Sequence, residues 1–168
     1  MIILGLDPAI RTTGYAVIGA EDGAPAVLLD CGVIVNSPKL PHSECVRRLF
    51  GGVTELVNTF HCDCASLEDP FVGRNSRTAI ILGMARGAIL SALASAGVPA
   101  YSYTPATAKQ SAAGRGSATK EQVALMLACE FKIDAGNIPL DSTDAIALAL
   151  CHLQRLRHPE YGKLGKEL

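Results

Sequence analysis

Residues 2–7, I-I-L-G-L-D, form a short apolar run that ends at the carboxylate of Asp7. Such a run is typical of a central strand that is buried on both faces of a sheet. The turn-like stretch P-A-I-R-T-T-G follows, and Y-A-V-I-G at 15–19 predicts a second strand. A third strand is predicted for A-V-L-L-D-C-G-V-I-V at 26–35, so the chain begins with an antiparallel meander.

A helix and a fourth strand are predicted next. Apolar residues recur every three or four positions between His42 and His61, which is the spacing of an amphipathic helix. C-A-S-L-E then predicts a short strand that ends at Glu68. A helix between two strands indicates a crossover and therefore parallel pairing. Glu68 should lie near Asp7 if the fourth strand pairs with the first.

The second half of the chain predicts helices around one more strand. Helices are expected over 75–96, 107–113 and 118–131, with a fifth strand at V-P-A-Y-S-Y and a last helix that begins near Asp141. The predicted fold class is α/β: a five-stranded mixed sheet, with a three-stranded antiparallel meander and two parallel strands, flanked by helices. One domain is expected over 1–157, followed by a polar and mobile C-terminal tail at 158–168.

Composition excludes several classes of protein. The chain has 168 residues, of which 49% are hydrophobic, so one domain with a substantial core is expected. No segment is predicted to span a membrane and no leader is recognised, so a cytoplasmic location is expected. The six cysteines are expected to be reduced thiols. The cluster H-C-D-C at 61–64 lacks a second ligand pair at the spacing of a zinc ribbon.

Charge is distributed unevenly along the chain. The formal net charge is −1, which by itself argues against a nucleic-acid partner. From Phe71 to Lys120, however, there is no Asp or Glu. Because exposed charges are screened beyond about 10 Å, such a segment can present a local surface for phosphate. Its six cations are Arg74, Arg77, Arg86, Lys109, Arg115 and Lys120.

Four carboxylates stand where the predicted topology brings them together. Asp7 and Glu68 end neighbouring strands, and Asp141 and Asp144 open the last helix with a spacing of three. Hard oxygen ligands of this kind suit Mg²⁺ or Mn²⁺, and two such ions can promote hydrolysis of a phosphodiester. Each residue also has an ordinary structural explanation: a turn before proline, an exposed strand end, or acidic residues in a first helical turn.

Four stretches resemble, in chain order, the motifs of RuvC-type crossover junction endodeoxyribonucleases, a branch of the ribonuclease H-like nucleases. The resemblance runs from residue 2 to about residue 153. The stretches are I-L-G-L-D-P-A-I-R-T-T-G-Y from position 3, L-E-D-P-F-V-G-R-N with A-R-G, Y-T-P-A-T-A-K-Q with G-R-G-S-A-T-K, and D-S-T-D-A-I-A-L-A-L-C-H.

The resemblance implies a magnesium-dependent homodimer that makes paired nicks in four-way (Holliday) DNA junctions during recombination and repair. Two Mg²⁺ ions per active site, for which Mn²⁺ can substitute, would be held by the four carboxylates. Phe71 matches an aromatic placed near the junction centre, where it can stack on bases. Lys109 and Lys120 match lysines that face DNA or the reacting phosphate. From the acid-free segment, rather than from the resemblance, we expect Arg74, Arg77 and Arg115 to contact phosphates.

Two departures from the family pattern and several alternatives stand beside this interpretation. Ala9 occupies a position where the family usually has glycine, and Asp141 one where some relatives have histidine. His152 is interpreted as a helix-end residue rather than a ligand. The alternatives are a ribonuclease H-like nuclease for another branched DNA or RNA, a non-catalytic junction-binding module, and a phosphate-binding lobe of the actin and sugar-kinase type. A branch-migration complex is an open possibility as a partner.

Overall fold

A mixed six-stranded sheet with helices on both faces forms the centre of the fold. The computed structural model describes residues 1–70, 75–134, 136 and 138–168. The strand order in the sheet is β3-β2-β1-β4-β5-β6. The elements are β1 (Ile2–Asp7), β2 (Thr12–Gly19), β3 (Val27–Val35), α1 (His42–Phe60), β4 (Cys64–Glu68), α2 (Ser76–Ser95), β5 (Ala100–Tyr103), α3 (Pro105–Ala113), α4 (Lys120–Phe131), α5 (Thr143–Arg157) and β6 (Lys166–Glu167).

The pairing of β1 confirms the predicted topology. β1 pairs antiparallel with β2, which in turn pairs antiparallel with β3, as expected for the meander. On its other side β1 pairs parallel with β4, in a register that ends at Leu6 opposite Leu67. Because parallel strands end at the same edge of a sheet, Asp7 and Glu68 follow this last pair side by side.

The two faces of β1 bury different helices. Leu4 and Leu6 pack in one cluster with Ile89 of α2, whereas Ile3 packs on the opposite face with Leu153 of α5. Side chains alternate between the two faces of a strand, and an all-apolar run therefore needs cover on both. Burial on both faces explains why the sequence of β1 has no polar residue before Asp7.

Helix α2 is long and strongly apolar. By length and composition it could cross a membrane, since a window of 18 residues has a mean hydropathy of 1.6, although the sequence was expected to contain no such segment. One such helix is weak evidence for a membrane span, and 33% of this window is buried inside the fold. Ala88, Ile89, Ala92 and Leu93 form the buried face of the helix.

Helix starts follow local capping chemistry. The Asn75 side chain accepts hydrogen bonds from the main-chain N–H groups of Arg77 and Thr78 at the start of α2. Thr119 and Gln122 form a capping box at the start of α4. These polar side chains satisfy N–H groups that have no partner within the helix, which fixes where each helix begins.

The end of the chain differs from the prediction. The sheet has six strands rather than five, because Lys166 and Glu167 of the expected mobile tail pair with Ser102 and Tyr101 of β5. The main-chain N–H of Leu168 also donates to Ala100 O at 3.0 Å. Main-chain groups at a sheet edge can pair with any sequence, so two polar residues give no signal for such a strand.

Candidate active site

Asp7 and Glu68 form the centre of the candidate site. Both side chains are half-buried, and Glu68 lies within hydrogen-bonding reach of Asp7. Burial, together with the negative charges of Asp7 and Asp144, raises the pKa of Glu68 to about 7. Burial and the Asp144 carboxylate also raise the pKa of Asp7. Near pH 7 this pair can therefore share a proton, and a cation placed between the two carboxylates would displace it.

The start of α5 brings in the other two carboxylates. Asp144 lies in the first turn of α5 and is half-buried. Asp141, which was expected to open the helix, lies instead in a 3-10 turn (Leu140–Ser142) and is exposed. The carboxylates of both residues act electrostatically on Asp7. The turn still presents both groups at the edge where β1 and β4 end.

Two glycines allow α5 to pass this close to the sheet. A Cβ at Gly14 of β2 would lie 2.1 Å from the carbonyl oxygen of Asp141. A Cβ at Gly5 of β1 would lie 2.0 Å from the carbonyl oxygen of Ala145. These distances are far below van der Waals contact, so only glycine is compatible with the observed approach.

Two lysines neutralise part of this negative charge. The Lys120 ammonium lies 2.8 Å from a carboxylate oxygen of Asp144, while 45% of its side chain is exposed. This hydrogen bond raises the pKa of Lys120. Lys109 of α3 is half-buried, and its charge counteracts the rise of the Glu68 pKa. Lys120 therefore acts electrostatically on Asp7, and Lys109 on Glu68.

The turn after Asp7 is fixed by a side chain. The buried hydroxyl of Thr13 donates to Ala9 O at 2.6 Å and accepts from Ala9 N at 3.2 Å. Among the residues that the structure describes, the non-glycine residues with positive φ are His61 and Lys132, so Ala9 is not one of them. The Cβ that distinguishes Ala9 from the usual glycine therefore causes no backbone strain.

The four carboxylates do not converge into a complete ligand set as they stand. Over 1–70, 75–134, 136 and 138–168, no three His, Cys, Asp or Glu side chains lie close enough to hold a metal ion. Asp7 and Glu68 contact each other, whereas Asp144 binds Lys120 and Asp141 faces solvent. The donor set is nevertheless all oxygen and strongly negative, which fits the chemistry of Mg²⁺ and Mn²⁺.

The remaining predicted DNA contacts are exposed on the surface or lie outside the described residues. Arg77 in the first turn of α2 and Arg115 between α3 and α4 are exposed, as phosphate contacts must be. Phe71 and Arg74 lie outside the described residues, so their expected roles stay predictions. His152 is not a helix-end residue: it is buried in α5 and hydrogen-bonds Tyr103.

Sequence reasoning missed three contributors to the site. Gly14 and Thr13 shape the approach of α5 and the turn after β1, and T-T-G within the first motif was the available signal. Arg86 was noted as one cation of the acid-free segment and as part of the motif A-R-G, but no role in the site was predicted for it. It is buried, and its guanidinium donates to the main-chain oxygen of Glu68. A lone arginine among small apolar residues of a helix was its signal.

Known proteins share this sequence pattern and geometry. Residues 3–152 match the family described as crossover junction endodeoxyribonuclease RuvC. The chain belongs to the RuvC family. RuvC of Chlorobaculum parvum is 41% identical over 155 residues, which cover 92% of this chain and 82% of that protein. RuvC of a Roseiflexus species is 38% identical over 149 residues, which cover 89% of this chain and 88% of that protein.

Solved RuvC structures confirm the predicted ribonuclease H-like fold. RuvC of T. thermophilus, solved in complex with a Holliday junction substrate, is 35% identical and superposes with a TM-score of 0.89. The match covers 100% of this chain and 99% of that one. The yeast mitochondrial Holliday junction resolvase is only 14% identical, with a TM-score of 0.65 over 89% of this chain and 76% of that one. That second likeness extends to the fold alone.

Proposed function

We propose that this chain is a divalent-metal-dependent endonuclease that resolves four-way DNA junctions by paired phosphodiester hydrolysis. One observation carries the proposal: Asp7 and Glu68 adjoin each other at the ends of parallel strands, with Asp144 and Lys120 beside them. A RuvC relative bound to a Holliday junction supports the choice of substrate. Recombination and repair are the processes in which such junctions arise.

Asp7, Glu68, Asp141 and Asp144 would hold the metal, which we propose to be two Mg²⁺ ions, with Mn²⁺ as a substitute. Bound there, the ions would supply Lewis-acid stabilisation of the phosphate and activation of water. Burial and the neighbouring carboxylates raise the pKa values of Asp7 and Glu68, and a bound cation would offset both effects because it favours the charged carboxylates. Asp144 would have to exchange its contact with Lys120 for a metal ligand.

The lysines and arginines would bind and orient the DNA. Lys120, once released from Asp144, can direct its ammonium at the phosphoryl oxygens and offset charge that builds there. Lys109 faces the same carboxylates from α3. Arg77 and Arg115 would hold flanking phosphates, together with Arg74, and Phe71 would stack on bases at the branch point.

Paired nicks require two active sites, so we propose that the chain acts as a homodimer in the cytoplasm. The exposed face of α2 supports a subunit contact, because Ile80 is 65% exposed and Gly83 and Gly87 leave open space beside it. A branch-migration complex is a further proposed partner. The single catalytic domain is proposed to span 1–157, with the segment 158–168 completing the sheet.

Cleavage of a synthetic four-way junction tests the proposal. We expect paired nicks with Mg²⁺, none with EDTA, and none on a matched linear duplex. Asp7→Asn is expected to lower the rate at least about 1,000-fold, a loss of about 4 kcal/mol of transition-state stabilisation, because a central metal ligand loses its charge. Junction binding by Asp7→Asn should persist.

Other results would point elsewhere. Binding of the junction without cleavage in Mg²⁺ or Mn²⁺ would indicate a non-catalytic binding module. Equal cleavage of flaps, RNA hybrids and four-way junctions would indicate a nuclease for another branched substrate. Sedimentation velocity on the free protein and on its junction complex would test the homodimer.

A further inference from the structure

The hydrogen-bond ladder between β1 and β4 stops at Glu68 for a chemical reason. Met1 and Ala20 exchange both main-chain hydrogen bonds. The main-chain N–H and C=O groups of odd-numbered residues in β1 therefore point toward β2, and those of even-numbered residues point toward β4. With Leu6 opposite Leu67, the next rung would join the N–H of residue 8 to the carbonyl oxygen of Glu68. Residue 8 is proline, which has no N–H. The sheet therefore offers no donor to the Glu68 carbonyl.

Arg86 takes the place of that missing donor. Among the described cations of the acid-free segment, Arg86 is the buried one, with 9% of its surface exposed. Its guanidinium donates to Glu68 O from α2. Within the described part of the chain, this oxygen is the only hydrogen-bond acceptor that Arg86 contacts. The charges of Glu68 and Asp69 act on the same guanidinium. Burying an arginine costs more free energy than exposing one, and a charge-assisted hydrogen bond to the Glu68 carbonyl offsets part of that cost.

Arg86 also borders the site itself. It lines a cavity of about 200 Å³ together with Asp7, Pro8 and Glu68. The main-chain torsions at the end of β4 determine where the Glu68 side chain points, and the carbonyl is the group through which those torsions can be held. A hydrogen bond from α2 to that carbonyl therefore restrains these torsions and, through them, the orientation of the Glu68 carboxylate.

The geometry points to Arg86 as a positioning residue that holds the end of β4 so that the Glu68 carboxylate faces Asp7 and the metals. This inference rests on the proposed metal-dependent nuclease activity. Arg86 acts through Glu68 and takes no part in the reaction itself. Its loss should weaken metal binding and the chemical step while leaving the binding of junction DNA, which uses exposed cations, intact.

Metal binding measured without DNA, together with a suppressor variant, tests the inference. Arg86→Met removes every donor while keeping an unbranched side chain, and Pro8→Ala restores a main-chain N–H opposite Glu68. Mn²⁺ affinity would be measured by titration calorimetry, single-turnover cleavage at saturating junction with Mg²⁺, and junction affinity in EDTA. Arg47→Met is the matched control, because Arg47 pairs with Glu44 on the surface of α1.

We expect Arg86→Met to lower Mn²⁺ affinity and the cleavage rate by about 10- to 100-fold, the usual range for a partner of a metal ligand, with junction affinity unchanged. Adding Pro8→Ala should recover at least about tenfold of the Mn²⁺ affinity. Arg47→Met should match the wild type. Should Arg86→Met not fold, Arg86→Lys replaces it and is expected to weaken Mn²⁺ binding several-fold at unchanged junction affinity.

Three results would overturn the inference: wild-type Mn²⁺ affinity and rate in a folded Arg86 variant, an equal loss of junction affinity, or no recovery with Pro8→Ala. Failure of the proposed function is distinguishable from these. In that case the wild-type protein itself would not cut the junction in Mg²⁺ or Mn²⁺, whatever the Arg86 variants do.

Discussion

Helix α5 carries polar groups at its start and in its middle, and the burial and charge around these groups differ between the two regions. At the start, Asp144 is half-buried and contacts Lys120, while its charge raises the pKa of both Asp7 and Glu68. In the middle, His152 is 1% exposed, stacks on Tyr101, and lies 2.7 Å from the Tyr103 hydroxyl through Nδ1.

This difference indicates that the start of α5 contributes to function and its middle to stability. The start accumulates like charges whose repulsion a ligand can relieve, which is the arrangement expected of a binding site. The middle instead holds its histidine neutral, because burial lowers the pKa of His152 to about 4 and Tyr103 can donate to the unprotonated ring nitrogen. Changes at the start should therefore reduce activity, and changes in the middle should reduce stability.

Among the changes that test this comparison, the largest effect is expected from Gly14→Ala. The added methyl group meets the Asp141 carbonyl, a backbone atom that cannot rotate away, so the start of α5 must shift. Misplacing catalytic groups by about 1 Å can reduce a rate on the order of 100-fold, and overpacking destabilises by about 1–3 kcal/mol. Single-turnover junction cleavage and urea unfolding would measure the two effects.

Gly51→Ala is the control for that comparison. Gly51 lies in α1, and a Cβ there would meet nothing within 4 Å. Alanine should therefore stabilise the helix by about 0.5–1 kcal/mol without changing cleavage. A Gly14→Ala variant that cuts junctions as fast as Gly51→Ala would show that the close approach of α5 has no part in the site.

A smaller effect is expected from protonation in the middle of the helix. Histidine ionises at about 6.5 when unfolded and His152 at about 4 when folded, so between these values the unfolded chain binds the extra proton. The free energy of unfolding should therefore fall as the pH drops from 7 to 4.5, and His152 should contribute about 2 kcal/mol of that loss. Urea unfolding across this pH range would measure it.

His152→Asn isolates the histidine from the carboxylates that titrate in the same range. The asparagine carbonyl can still accept from Tyr103 but does not ionise between pH 4.5 and 7. The variant should lose stability less steeply than the wild type as the pH falls. Parallel stability profiles of the two proteins would mean that His152 does not carry this pH dependence.

The smallest effect is expected from Tyr103→Phe. The change leaves the His152 ring nitrogen without its donor in a buried position, at a loss of about 1 kcal/mol. Junction cleavage should be unchanged, since the Tyr103 hydroxyl belongs to the stabilising region. Thermal unfolding and the rate of junction cleavage would be measured for this variant and for the wild type. A tenfold lower cleavage rate would show that the middle of α5 also contributes to activity.

The sequence predicted most of the sheet and that Asp7 and Glu68 lie at the ends of neighbouring strands. The apolar runs before Asp7 and Glu68 and the helical spacing after His42 predicted the strands and the parallel crossover, because periodicity reports which faces are buried. That β4 pairs with β1 came from the structure. The pairing of β6 was missed, since Lys166 and Glu167 pair through their main chains and carry no apolar pattern. The sequence also could not show that Asp141 precedes α5 in a 3-10 turn.

Sequence by itself determined which carboxylate and basic side chains this protein has and in what order they occur along the chain. Only the tertiary structure decided how those residues are held. The close approach at Gly14, the contact between Asp144 and Lys120, and the replacement of a ladder donor at Pro8 by Arg86 each join positions far apart in the chain. Local propensity and spacing carry no information about such contacts, because they depend on which helix packs over which strand end.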